Sequence, residues 1–413
     1  MGASQRSDEA LVSIVRDEWG RLLAALTLQF GDLSQAEDAL QDAVETAFRR
    51  WPVTGAPANP AAWLMTCARR RMIDHIRRAQ TLNAKLPLLA FEMATLEDII
   101  IDTEEIPDER LRLIFTCCHP ALNQEAQIAL TLRTLGGLST TEIAHALLIA
   151  EPTVGQRISR AKRKIREAGI PFETPAAADL PDRLETVLEV LYLVYNEGYV
   201  ASEGRLLFRV DLATEAIRLG HVLVRLMPDE PEALGLLALM LLNDARRDAR
   251  IDCNGELVTL DQQDRSRWNR DSIVEGTELV DRALRMRRPG LYQLQAAISA
   301  LHCQAEAPGE TDWLQIVALY DVMMTIAPTP IVALNRAAAV SMAEGPDQGL
   351  IALAHIDQLD QLEDYHLLHA SRADMLRRAG RFTEARAAYE RAIALTNNTT
   401  ERGFLARRAS SLV

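Results

Sequence analysis

Two adjoining stretches, GLSTTEIA (residues 137–144) and EPTVGQRISRAKRKIR (residues 151–166), predict a pair of helices joined by a short turn. Ser139 and Glu142 stand three residues apart, which is the spacing of a capping box at the start of a helix. Pro152 suits the first turn of the second helix, because an N–H there would have no helical partner. Apolar residues of the second helix recur at helical spacing and form one buried stripe: Val154, Ile158, Ala161 and Ile165. The pattern is that of a helix-turn-helix.

The face opposite this stripe is polar and basic. Residues 157–166 contain six bases and no acid. Polar side chains can reach base edges in a DNA groove while flanking cations meet phosphates, so this layout indicates a DNA-recognition helix. An ordinary helical hairpin with a solvated face is the alternative. The candidate DNA-binding residues of this helix are Thr153, Gln156, Arg157, Ser159, Arg160, Lys162, Arg163 and Lys164.

Charge is unevenly distributed along the chain. The 45 Lys and Arg against 58 Asp and Glu give a net charge of −13, and residues 171–413 hold 25 of those bases and 36 of those acids. Residues 91–109 contain eight acids and no base. A second basic cluster lies in the N-terminal part, where residues 69–78 contain five arginines and a single acid, Asp74. These arginines are Arg69, Arg70, Arg71, Arg77 and Arg78. Two basic patches in an acidic protein suggest two nucleic-acid contacts.

The composition favours helices. Apolar residues make up 48% and aromatic residues only 5% of the 413 residues, a length that suits two or three domains. With neither an apolar run of about 18 residues nor a signal peptide, the chain is expected to be cytoplasmic and not to contact a membrane. The five cysteines form no disulfide pattern, and Cys117-Cys118-His119 lacks the spacing of a zinc site. We therefore expect no metal and no cofactor.

Residues 137–166 resemble the second DNA-binding domain of extracytoplasmic-function (ECF) sigma factors, which reads the −35 promoter element. The resemblance is carried residue for residue by Thr153, Val154, Arg157, Arg160 and Ala161. Gly155 departs from it, since the family usually has a longer polar residue there.

The N-terminal part supports the same resemblance. AEDALQDAV (36–44) looks like the family's helix that docks on the polymerase clamp, and PAAWLMTCARRRMIDHIRR (60–78) looks like its −10 segment. The resemblance implies that the loop 53–60 takes flipped bases. It also implies that core RNA polymerase is bound by Glu37, Asp38, Gln41, Asp42 and Glu45.

The C-terminal part reads as helices separated by Pro, Gly and Asn. Residues 379–395, AGRFTEARAAYERAIAL, resemble half of a tetratricopeptide (TPR) repeat, and the whole chain resembles an ECF subgroup with a fused TPR-like domain. The expected fold is all-α, with a first sigma domain over 1–90, an acidic linker over 91–107, the helix-turn-helix domain over 108–170 and the TPR-like domain over 180–413. His302, Asp312 and Glu197 could be arranged into an enzyme site, but helix caps and buried polar contacts are the simpler interpretation.

The sequence therefore predicts a sigma factor, not an enzyme, whose partners are core RNA polymerase and promoter DNA at the −10 and −35 elements. The C-terminal domain is predicted to control activity in cis and offers a groove for a protein or small ligand. Two alternatives remain open. One is a DNA-binding regulator independent of polymerase, and the other is a helical-repeat scaffold or enzyme with a vestigial N-terminal half.

Overall fold

The computed structural model describes residue 15 and residues 18–82, 109–147, 149–199, 210–252, 256–356, 359–396 and 398–412. Within these ranges the regular elements are helices, and an isolated antiparallel bridge joins Ile251 and Leu257. The predicted all-α fold is confirmed. The predicted acidic linker, 91–107, lies outside the described residues.

The chain divides into two compact units, Met1–Leu191 and Tyr192–Val413. Among the residues that the structure describes, seven helices lie wholly in the first unit: α1 (18–30), α2 (Leu33–Thr54), α3 (Pro60–Leu82), α4 (Arg110–Cys117), α5 (Gln124–Thr134), α6 (Thr140–Leu147) and α7 (Glu151–Glu167). The boundary falls within α8 (Leu180–Tyr199). The second unit continues with α9 (Val210–Leu226), α10 (Pro231–Asp244), α11 (Arg270–Arg285), α12 (Leu291–Gln304), α13 (Trp313–Ile326), α14 (Pro330–Ala343), α15 (Pro346–Ala354), α16 (His366–Arg378), α17 (Phe382–Leu395) and α18 (Thr399–Ser410).

Helix α2 begins and ends at residues other than those its sequence suggested. Ser34 and Glu37 have the spacing of a capping box, which by itself indicates a cap at Ser34, but Asp32 is the N-cap and accepts hydrogen bonds from the Ser34 and Gln35 amides at 2.8 and 3.0 Å. The Trp51-Pro52 pair by itself indicates a helix end, yet the helix runs to Thr54, and Gly55 ends it at a φ of +79°. Proline near a helix end interrupts few backbone hydrogen bonds, so the glycine decides the terminus.

The core of the first unit includes the adjacent cysteines. Cys117 and Cys118 are buried, and their sulfurs lie 3.0 Å from Thr134 Oγ1 and 3.6 Å from Thr131 Oγ1 respectively. Burial raises the pKa of both thiols, that of Cys118 to about 12. Both side chains are therefore neutral core groups at physiological pH.

In the second unit, consecutive helices pack on one another. Its apolar clusters connect α10, α11 and α12, then α12, α13 and α14, and finally α16, α17 and α18. In the stretch 379–395, Gly380 turns the chain at a φ of +75°, and Ala385, Ala388, Tyr389 and Ala392 are buried. Among the described helices of the chain, none is both long and apolar enough to span a bilayer.

Candidate nucleic-acid interface

The turn between α6 and α7 is held by hydrogen bonds at the start of each helix. The Ser139 amide donates to Glu142 Oε2 at 2.7 Å and the Glu142 amide donates to Ser139 Oγ at 3.1 Å, which completes the expected capping box. The hydroxyls of Thr140 and Thr141 both donate to Glu151 Oε1, at 3.2 and 3.0 Å. Glu151 thus ties the first turn of α6 to the first turn of α7.

Helix α7 buries three of the four residues of the predicted stripe and exposes most of the predicted polar face. Val154, Ile158 and Ala161 are buried, whereas Ile165 is half-buried. The side chains that point to solvent are Gln156, Ser159, Arg160, Arg163 and Lys164, whereas Thr153 is half-buried. This arrangement leaves a polar, basic helix face that can enter a DNA groove.

Two candidate DNA-binding residues of α7 pair with carboxylates of other helices, and a third, Arg163, lies with its Nε 3.9 Å from Glu167 Oε1 on α7 itself. Arg157 Nη2 lies 2.7 Å from Glu125 Oε2 at the start of α5, and Lys162 Nζ pairs with Glu37 of α2. A cation held by a carboxylate is less available to a phosphate than an exposed one, because the pair must first break. The exposed face therefore centres on Arg160.

The second basic patch lies on α3. Arg70 and Arg77 are exposed, Arg69 is half-buried, and the Arg78 side chain lies outside the described part of the chain. Burial lowers the pKa of the Arg69 guanidinium. Arg71 pairs with Asp42 of α2 at 2.8 Å and also donates to Thr46 Oγ1 at 3.3 Å. The loop before α3 is flanked by Trp51 and Trp63, whose rings meet edge to face with centroids 5.3 Å apart.

The acidic residues of α2 divide between two environments. Asp38, Gln41, Asp42 and Glu45 are exposed, and Glu45 pairs with Arg49. Glu37 is only 3% exposed: its carboxylate accepts from Arg133 Nε at 2.6 Å, from Gln41 Nε2 at 2.8 Å and from Lys162. Four of the five residues expected to bind polymerase therefore share the surface of α2, and the fifth is turned inward.

The roles of Glu125, Arg133 and Glu151 were not found from the sequence. Each makes its contact with residues far along the chain or across a turn, as in the pair between Arg133 and Glu37. The capping box was visible because both of its members lie within one helical turn. Contacts between helices carry no such local signal.

The polar stretches of the second unit act as helix caps. Glu232 accepts hydrogen bonds from the amides of Tyr292 and Gln293 at 3.0 and 3.1 Å, where α12 begins. Arg265 Nη1 donates to the carbonyls of His302 and Ala305 at 2.8 and 2.6 Å, where α12 ends. Glu232 and Arg265 therefore satisfy backbone groups at the two ends of α12.

Of the three residues considered for an enzyme site, Asp312 and His302 make contacts that support the fold. Asp312 caps α13 by accepting from the Gln315 amide at 2.9 Å. The His302 ring meets Trp313 edge to face at 5.1 Å, and burial together with the nearby Arg246 and Arg265 lowers its pKa to about 4. The Glu197 side chain lies outside the described part of the chain.

Fold and surfaces together define a class: an all-helical protein with a helix-turn-helix and a second basic helix upstream of it. Residues 16–81 match the family model described as Sigma-70 region 2, and residues 112–165 match Sigma-70, region 4. Residues 183–284 match a family of unknown function, DUF6596. No solved structure matches the chain.

Three relatives illustrate the similarity. An uncharacterised protein of Rhizobium meliloti is 45% identical over 403 residues, which cover 96% of this chain and 94% of that protein. The ECF RNA polymerase sigma factor SigL of Mycobacterium tuberculosis is 31% identical over 166 residues, 39% of this chain and 89% of that protein. The ECF RNA polymerase sigma factor SigK of Mycobacterium bovis is 30% identical over 112 residues, 27% of this chain and 59% of that protein.

The chain belongs to the ECF sigma factors, a family of transcription initiation factors. Region 2 below denotes residues 16–81 and region 4 denotes residues 112–165.

Proposed function

We propose that this protein binds core RNA polymerase and directs it to specific promoters, with region 2 at the −10 element and region 4 at the −35 element. The observation that carries the proposal is the pair of basic surfaces, on α3 and on α7, in the chain order of the two family regions. The acid-free outer face of α7 suits a DNA groove, and the arginines of α3 suit the phosphates of an opened strand.

Run-off transcription with core polymerase tests this function. Sequencing the DNA bound by the complex supplies the promoter, and the expected result is a transcript that requires both the protein and that promoter. Pull-down of core enzyme separates this function from that of a DNA-binding regulator acting without polymerase. DNA binding without capture of the core enzyme would favour the regulator.

The exposed acidic face of α2 is the proposed contact with polymerase. Asp38 is exposed, so replacing it can change a partner contact without breaking the fold. An acidic face meeting a basic clamp gains association rate from charge and loses affinity in salt. We expect Asp38→Arg to lower recovery of core polymerase in pull-down while binding to a −35 duplex stays at the wild-type level. Normal recovery of core enzyme would show that this face is merely solvated.

The C-terminal unit is proposed to be a TPR-like domain that controls activity in cis. Stacked helix pairs present concave surfaces that bind peptides or small ligands, and a fused domain can act on its own chain without a separate regulator. The repeated helix packing from α10 to α18 and the turn at Gly380 support this assignment. Because Asp312 and Glu232 cap helices and His302 packs against Trp313, a regulatory role is favoured over an enzymatic one.

A further inference from the structure

Arg246 is a buried cation that pairs with no carboxylate among the residues that the structure describes. It follows α10, and only 9% of the residue is exposed. Its guanidinium donates to Asn243 Oδ1, while its Nε has no acceptor in the described part of the chain. Asp244 gives both carboxylate oxygens to Arg247, and Asp248 is exposed. Because burying an unpaired charge costs free energy, an anion bound at Arg246 would stabilise the protein.

Several polar side-chain atoms around Arg246 are buried and lack hydrogen-bond partners among the described residues. They include Tyr195 Oη on α8, Arg265 Nε, Trp268 Nε1 and His302 Nδ1 on α12. Arg265 connects the last two, since its guanidinium lies 4.4 Å from the centroid of the Trp268 ring and its Nη1 donates to the His302 carbonyl at 2.8 Å. Nearly all buried polar groups of folded proteins are hydrogen-bonded, so a group of such atoms without partners indicates a binding site.

The charge of Arg246 acts on these groups, which shows that they lie near it. Burial lowers the pKa of His302, and Arg246 lowers it further. Burial raises the pKa of Tyr195, and the nearby Arg246 and Arg250 oppose that rise. The Arg250 guanidinium lies 4.1 Å from the centroid of the Tyr199 ring, which stacks on the Tyr195 ring. Cations and aromatic rings are therefore gathered where the last turns of α8 and α12 meet the end of α10.

The elements that carry this group are tied together and reach the surface. Ser299 of α12 donates to Asn243 Oδ1 of α10 at 3.3 Å, on the oxygen that also accepts from Arg246. Arg265 and His302 are half-buried, so the group borders solvent. A small ligand can thus reach polar groups that the helices already hold in place.

We propose that the second unit binds a small oxyanion, the phosphate or carboxylate group of a small molecule, at Arg246 and Arg265. Guanidinium groups recognise both anions through paired N–H donors. The Tyr195 hydroxyl and the Trp268 indole N–H add neutral donors, and their rings offer apolar surface to the rest of the molecule. All four side chains lie within residues 183–284, the match to the family of unknown function. The use of this ligand in cis-control rests on the proposed function, whereas the binding itself does not.

Isothermal titration calorimetry of the full chain tests the site, with inorganic phosphate and acetate as probes and sodium chloride holding the ionic strength constant. We expect saturable binding, and the anion that binds more tightly identifies the ligand as a phosphate or a carboxylate. Arg246→Gln should weaken this binding about tenfold or more, because a hydrogen bond to a charged group is lost. Arg285→Gln on α11 removes an exposed positive charge from the same unit and should bind as wild type does. Saturable binding of neither anion would overturn the site.

Tyr195→Phe is a second variant, which keeps the buried ring and removes only a hydroxyl without a described partner. The ligand-free variant should unfold at a Tm equal to or above that of wild type, since no hydrogen bond is broken. It should nevertheless bind the anion about tenfold more weakly, because the hydroxyl no longer donates to a charged group. A merely structural hydroxyl would not separate these two effects. Wild-type affinity for the anion in both Arg246→Gln and Tyr195→Phe would overturn the site.

Hydrogen exchange of the wild-type chain locates the anion without any variant. The more tightly bound probe should slow amide exchange in peptides that cover the ends of α10 and α12. The basic faces of α3 and α7 also attract anions, so protection confined to those helices would overturn the site. A protein that shows protection at α10 and α12 but neither binds a promoter duplex nor supports run-off transcription would overturn the proposed function instead, and the anion site would stand.

Discussion

At the scale of single residues, Arg157 and Arg160 lie one turn apart on α7 but have different surroundings. Arg160 is exposed, while Arg157 is held by Glu125. We expect Arg160→Ala to weaken binding to a −35 duplex by about 1–3 kcal/mol and to relax base preference, as loss of a base contact does. Arg157→Ala should weaken binding too. Fluorescence anisotropy on cognate and mismatched duplexes measures both effects.

Arg166 provides the matched control for Arg160. It is exposed on the same helix near its C-terminus and was not among the candidate DNA contacts. Arg166→Ala should lose less affinity than Arg160→Ala and lose it equally on all sequences, since it changes only the general charge. Equal affinity of Arg160→Ala and wild type would contradict the assignment of α7 to the groove.

His302 gives the second unit a pH-dependent stability. Its pKa falls from the ordinary 6.5 to about 4, first because of burial and then because Arg246 and Arg265 are near. The unfolded chain therefore binds an extra proton between these pH values, so stability is present above pH 6.5 and is lost as the pH falls toward 4. From pH 7 to pH 5 the loss should be about 2 kcal/mol.

Denaturant unfolding followed by tryptophan fluorescence measures this effect, because Trp313 touches the His302 ring. The matched variant is His302→Gln, which cannot titrate in this range. It should show a smaller loss between the two pH values than wild type. An equal loss in both proteins would assign the pH dependence to other groups.

Single residues also show where sequence reasoning stops. The exposure of Arg160 followed from the position of the apolar stripe on a helical wheel. The inward turn of Glu37 did not, since the sequence places it with the exposed Asp38 and Asp42. Its two cationic partners, Arg133 and Lys162, lie 96 and 125 residues away along the chain, and only the packing of the two regions brings them within hydrogen-bonding distance.

At the scale of elements, Gly155 is the weak point of α7. It lies inside the helix, and a Cβ placed there would have no heavy atom within 4 Å. Glycine costs about 1 kcal/mol relative to alanine in a helix interior because it loses more backbone entropy on folding. We expect Gly155→Ala to stabilise region 4 by about this amount, measured as a rise in Tm. A fall in Tm would mean that the glycine conformation is needed.

Helix boundaries were predictable where the capping residues lie within one helical turn and no other capping residue lies nearby. The capping box at Ser139 and Glu142 formed as expected. At α2 the Ser34–Glu37 spacing indicates the wrong cap, and Asp32 caps the helix instead. Aspartate and serine have similar capping preferences, so spacing to Glu37 is a weak ground for choosing between them. The Asn254-Gly255 pair is typical of a hairpin turn and lies outside the described residues, next to the bridge between Ile251 and Leu257.

At the scale of the whole molecule, the all-α class followed from composition and helical periodicity, which are properties of the entire sequence. The boundary between the two compact units, in contrast, depends on which helices pack together. The sequence placed a boundary between 170 and 180, while the units divide within α8, after Leu191. Arg183 on α8 donates to the Phe115 carbonyl at 2.6 Å and so attaches the start of this helix to the first unit.

The boundary after Leu191 determines which truncations best test whether the C-terminal unit controls the activity of its own chain. The C-terminal unit is large and helical, so we expect it to be required for the competent arrangement rather than to mask the DNA-binding surfaces. Ending the chain after Pro175 also removes α8 from the first unit, whereas ending it after Tyr199 keeps that helix. The second truncation therefore isolates the contribution of the C-terminal unit.

A third truncation, from Thr396 onward, removes α18 and with it the buried Leu405, so it should uncover Ala388, Tyr389 and Ala392. Stacked helices bury a continuous core, and loss of a terminal helix destabilises its neighbours. We expect run-off transcription from a cognate promoter to fall in all three truncations. Circular dichroism would check that the chain ending after Tyr199 remains folded. Unchanged transcription in every truncation would exclude cis-control, and increased transcription would show that the C-terminal unit inhibits.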